Sequence, residues 1–164
     1  MSEERDTLEA LLLRGTRLLH EGKAAEAIPM LAQAYAMDPE NPDAALNFSG
    51  ALILTGQFKK ARPVLEALRD REVENAMVWT NLGAAHLGNP ALATDEQQRK
   101  AIEAFERALE LDEHAPSVAY NLGLIYRDRQ ERAEAARWFR RALKTNPGDR
   151  HARSLLKQIE NSAD

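Results

Sequence analysis

Between Val78 and Pro147 one pattern is written twice, and this self-similarity restricts the fold more than any other feature of the chain. Trp79, Leu82, Gly83 and His86 recur 40 residues later as Ala119, Leu122, Gly123 and Tyr126. Ala101, Phe105, Ala108 and Asp112 recur 34 residues later as Ala135, Phe139, Ala142 and Asn146. Two helices are therefore repeated, with six extra residues between the first pair. A shift of 34 towards the N-terminus places Gly83 on Ser49 and then Gly15; allowing for the insertion, Phe105 falls on Leu65 and then Leu31. Four units follow: about 8–41, 42–75, 76–115 with the six-residue insertion, and 116–149. A period of this size marks stacked supersecondary units, none of which can bury its apolar face alone.

The residues inside each unit say how its two helices meet. A glycine or serine follows the leucine of the pattern, or Phe48, on the first helix, and a large residue (Leu31, Leu65, Phe105, Phe139) stands on the second, so small faces large and the helices can approach closely. Boundaries follow from caps and breakers. The first helix is expected over 7–21, opened by Asp6 with Glu9 three residues on and ended by Gly22. Helices are then expected near 23–37, 42–55 and 58–71, with Pro29 and Pro63 early in the second and fourth, where a lost hydrogen bond implies a mild bend. In the third unit a helix over 75–87 precedes Gly88 to Ala93, read as a short loop protruding at the hairpin tip. Thr94 to Gln97 then forms a capping box that opens a helix at Asp95. The fourth unit reads as helices over 117–129 and 131–145. A last amphipathic helix over 149–160, carrying Ala152, Leu155, Leu156 and Ile159, has the pattern of a solubilising cap.

The pattern Trp-x-x-Leu-Gly-x-x-aromatic, then Ala-x-x-x-Phe-x-x-Ala, then Pro, resembles the tetratricopeptide repeat, a 34-residue helical hairpin. The resemblance covers about 8–149. It implies an all-α right-handed solenoid, a superhelix of antiparallel hairpins with nine helices in all, forming a single domain over 1–164. It also implies a groove walled by the first helix of each hairpin. The stripe that faces this groove by resemblance includes Leu12, Leu13, Thr16, Leu46, Asn47, Ile53 and Leu54, then Met77, Thr80, Asn81 and Leu87, then Tyr120, Asn121, Leu124 and Arg127. It is mostly apolar, with one recurring amide at Asn47, Asn81 and Asn121. In such proteins these asparagines often contact the backbone of a bound peptide, since a primary amide both donates and accepts; the alternative is a bond within their own hairpin. Modules of this family that grip a C-terminal carboxylate use Lys and Arg in the groove, and the matching places here hold Leu12, Thr16, Asn47, Met77 and Asn81, so that specificity is not expected. The resemblance thus implies a non-enzymatic scaffold or adaptor that holds an apolar or amphipathic segment of a protein. The alternatives are a structural or homo-oligomerisation module and a chaperone-like subunit of a larger assembly.

Other chemistries find little footing. There is no cysteine, which removes disulfides, thiolate metal sites and a thiol nucleophile. His20, His86, His114 and His151 never fall four apart as helical metal ligands do. Neither a phosphate-cradling glycine loop nor a paired catalytic carboxylate is recognisable, and no cofactor is implied. The net charge of −4 gives no general attraction to nucleic acid or to anionic membranes. The cluster Arg137, Arg140, Arg141, Lys144, Arg150, Arg153 and Lys157 reads first as a solvated face opposed locally by Asp149; docking of an acidic protein or nucleic acid there is the residual reading. The acidic start of the chain, and a run of only Leu11 to Leu13 behind it, lead to the expectation of a cytoplasmic protein.

Overall fold

Side-chain caps open five of the nine α-helices among the described residues. The computed structural model describes residues 7–162, and among these it has nine α-helices, one 3-10 turn and no strand. The expected start signal at Asp6 lies outside the described residues. The first cap within them is the Thr7 hydroxyl, which accepts from the Ala10 N–H at 3.2 Å and opens α1 (Leu8–His20). Then come α2 (Ala24–Met37), α3 (Pro42–Leu54), capped by Asn41 and begun by proline, and α4 (Phe58–Arg69). Next are α5 (Ala76–Leu87), capped by Asn75, and α6 (Asp95–Leu111). In the capping box of α6 the Gln97 N–H donates to Thr94, and the Thr94 N–H to the Gln97 side chain. The series closes with α7 (Val118–Asp128), α8 (Arg132–Thr145) and α9 (Arg150–Asn161), the last capped by Asp149.

Three hairpins turn in the same way. After α1 the Lys23 N–H donates to Leu18 O at 2.8 Å and the Gly22 N–H to Leu19 O at 3.0 Å. The paired bonds after α3 run from Gln57 to Leu52 and from Gly56 to Ile53, and those after α7 run from Glu131 to Tyr126 and from Gln130 to Arg127. This is the Schellman arrangement, which needs a left-handed residue just past the helix. Gly22 and Gly56 supply it at φ 75° and 74°, and in the fourth repeat Gln130 adopts 63° without the freedom of glycine.

The chain forms two compact units, Met1–Val73 and Glu74–Asp164, the boundary falling between the second and third repeats. In the first, Leu11, Ala34 and Ala44 form one buried cluster and Ala27, Leu31 and Ala51 another, with Tyr35 stacked on Phe48 at 5.5 Å. A Cβ placed on Gly15 would lie 2.5 Å from a methyl of Leu31, so the small-against-large pairing expected from the sequence is present. In the second unit, Phe105 packs with Ala101, Val118, Leu122 and Ile125. Phe139 packs with Ala135 and Ala142, and is covered by Ala152, Leu155, Leu156 and Ile159 of α9, which acts as the expected cap.

The insertion differs from its expected form. Residues Pro90–Leu92 wind into a 3-10 turn, begun by the Ala91 N–H donating to Asn89 Oδ1 at 3.1 Å, and the turn lies against α7 rather than simply projecting from the hairpin.

Candidate functional site

The face that the sequence assigns to ligand is carried by the first helix of each hairpin, α1 and α3 in the first unit, α5 and α7 in the second. In the first unit Leu12 and Thr16 of α1 are half-buried and Leu13 is 70% exposed. On α3, Leu46, Asn47 and Ile53 are half-buried and Leu54 is 70% exposed. The Asn47 amide donates to Asp43 O one turn back at 2.9 Å, so its N–H₂ is at least partly engaged with its own helix and its oxygen is the group left to meet a ligand.

In the second unit, α5 presents Met77, 55% exposed, with Thr80 and Asn81 half-buried. Thr80 Oγ1 donates to Ala76 O at 2.9 Å. Among the described residues neither Asn81 nor Asn121 makes a side-chain hydrogen bond, which distinguishes both from Asn47. On α7, Tyr120 and Leu124 pack on the same cluster, Tyr120 edge-on to Phe139 with ring centres 6.0 Å apart. Asn121 is half-buried beside them in sequence, and Arg127 lies one to two turns further along.

One expected wall residue is placed elsewhere. Leu87 is 2% exposed and belongs to the core around Phe105, Val118, Leu122 and Ile125. It is the last residue of α5, and the packing of α6 and α7 around that end encloses it, so it supports the fold and forms no pocket for a ligand.

The basic cluster is also more internally paired than the sequence suggests. Arg137 meets Glu134 at 2.9 Å and Arg140 meets Glu160 at 2.7 Å, so these carboxylates oppose the cluster as well as Asp149. Arg141 donates to Glu113 O and lies over the Trp138 ring, and Arg153 donates to Pro147 O. Much of this charge closes loops and joins helices.

Around Arg127 the structure gathers groups that sequence reading did not connect. Arg127 donates through Nε and Nη2 to Asp128 Oδ1 at 3.0 and 2.8 Å, and lines an open cleft of 380 Å³ with Gln130, Arg132, Gln158, Ile159 and Ser162. Arg132 Nη2 donates to Ile159 O at 3.3 Å. These residues come from α7, from the turn after it, from the start of α8 and from the end of α9. Their one sequence signal is a glutamine where the first two repeats have glycine. Among the described residues no group of three His, Asp or Glu side chains could hold a metal, and no helix is long and apolar enough to cross a membrane.

The tetratricopeptide repeat description applies to two family models, one matching residues 18–85 and the other 95–150. The chain is a tetratricopeptide repeat protein. Solved structures resemble it over nearly its whole length. A thermophilic tetratricopeptide repeat protein of Thermus thermophilus is 19% identical with a TM-score of 0.79, over 95% of this chain and 82% of that one. MamA of Desulfovibrio magneticus RS-1 is 26% identical with a TM-score of 0.71, over 90% and 80%. A tetratricopeptide repeat protein of Parabacteroides merdae is 18% identical with a TM-score of 0.72, over 97% and 60%. No curated protein matches the chain. As an all-α tetratricopeptide repeat solenoid, this protein has the architecture of a protein–protein interaction scaffold, a class that is generally non-enzymatic.

Proposed function

We propose that this tetratricopeptide repeat protein is a non-enzymatic adaptor that holds a peptide or helix of another protein along the exposed faces of its first helices, principally α5 and α7. The observation that carries this reading is the pair of half-buried amides, Asn81 and Asn121, left without a side-chain bond among the described residues. A half-buried amide without a partner loses part of its solvation, and a ligand backbone restores a donor and an acceptor together. Met77, Tyr120 and Leu124 give apolar surface on the same helices for the ligand's side chains. A single short segment held this way binds with about −8 kcal/mol, near micromolar.

Replacing Asn81 and Asn121 together by alanine tests the reading. Protein retained from native lysate by wild type should be lost by the double variant, with melting of the two proteins nearly equal. Equal retention by both would refute the assignment of the site to these faces. A second reading, self-association, is favoured by Leu13 and Leu54, each 70% exposed on first helices of the other unit. Sedimentation over a concentration series decides it: a tight dimer abolished by L13E and L54E would assign that unit to oligomerisation.

A further inference from the structure

We infer that the cleft beside Arg127 takes the carboxylate of an aspartate or glutamate side chain from the bound segment. The proposal rests on the preceding reading in that the segment lies along α7, and it gives that segment a chemistry. Six residues line the cleft, two of them guanidiniums (Arg127, Arg132), three neutral hydrogen-bonding side chains (Gln130, Gln158, Ser162) and one apolar (Ile159), with no carboxylate among them. Asp128 stands outside that lining and engages Nε and Nη2 of Arg127, leaving Nη1. Arg132 gives a single contact to Ile159 O, leaving most of its five N–H donors. These bonds to Asp128 and Ile159 also fix the two guanidiniums in place, so less side-chain freedom is lost when an anion arrives.

Gln130 adds an independent reason. Its equivalents Gly22 and Gly56 take the left-handed turn at no steric cost, whereas Gln130 is held at φ 63° and in return places an amide at the cleft. The cleft is open, so a passing chain can lower a side chain into it without ending there, and this favours a side-chain carboxylate over a C-terminal one. Arg127 stands two turns beyond Tyr120 on one stripe of α7, so a segment lying on Tyr120 and Leu124 reaches the cleft with its next residues.

The test is an NMR titration of the whole protein with acetyl-glutamate amide, read at the guanidinium Nε–H signals of arginine and the side-chain amides of glutamine. Acetyl-glutamine amide, acetyl-alanine with its free C-terminal carboxylate, and sodium chloride at matched ionic strength serve as comparisons. Acetyl-glutamate amide should shift Arg127, Arg132, Gln130 and Gln158 saturably and more than any comparison. The response should weaken about fivefold or more in R132Q, which removes the guanidinium charge and keeps a neutral hydrogen-bonding side chain. In Q130G the response should weaken while melting rises, because strain and amide leave together. Equal shifts with acetyl-glutamine amide or chloride, a stronger response to acetyl-alanine, or an unchanged response in folded R132Q would overturn the assignment. Failure of the wall reading gives a different result: normal titration of the cleft, with partner retention unaffected by the Asn81 and Asn121 substitutions.

Discussion

At the scale of single residues, the hairpins depend on what is missing from three first helices. A Cβ on Gly83 would lie 2.5 Å from the Phe105 ring, and one on Gly123 would lie 2.7 Å from that of Phe139. Both rings are fully buried and have no free volume into which to retreat. Gly123→Ala is therefore expected to destabilise the second unit by about 1–3 kcal/mol through overpacking, despite the helix propensity gained; urea denaturation measures it, and an unchanged midpoint would contradict the packing argument. This contact was legible in the sequence, because Gly83 and Phe105, and then Gly123 and Phe139, recur in step. Leu87 was not. Its register assigns it to the ligand-facing stripe, but its burial comes from Ala101 and Phe105 of α6 and from Val118 to Ile125 of α7, all on other helices, and periodicity within one helix carries no record of those contacts.

At the scale of elements, α9 turns the last hairpin from an open face into a closed one. Leu155, Leu156 and Ile159 lie on the cluster around Phe139, and Arg140 and Arg132 of α8 bond to Glu160 and to Ile159 O. Ending the chain after Asp149 should cost a few kcal/mol, since three half-buried aliphatic side chains each contribute roughly half of the about 1.5–3 kcal/mol of full burial, and should expose apolar surface that binds a hydrophobic dye. Circular dichroism melting with dye fluorescence checks both, and a shortened chain that melts like the parent would show that α9 is no cap. The start of α6 was the most legible helix end, because the Thr94–Gln97 box is a local signal; Asn75 and Asp149, read as the first residues of their helices, are instead the caps just before them, as Asn41 is for α3. The cleft was hidden for the opposite reason: Arg127, Arg132 and Gln158 belong to three helices, and no local spacing links them.

For the molecule as a whole, two compact units each carry a core of their own. The second includes both a cap and the unengaged asparagines, so residues 74–162 are expected to fold alone and cooperatively. Helical circular dichroism with a single sigmoidal urea transition is the expected result; a gradual transition would mean that this unit needs residues 1–73. Repeat proteins obtain such autonomy because each hairpin touches only its neighbours. The same locality frees the start of α6 from the length of the third hairpin's tip, even though the 3-10 turn in that tip lies against α7. Thr94 and Gln97 start α6 through bonds made only to each other's backbone and side chain, whatever precedes them. A short epitope placed between Ala91 and Leu92, both exposed, would therefore leave the register of α6 intact and give a handle for following the protein in cells while its ligand faces stay unlabelled.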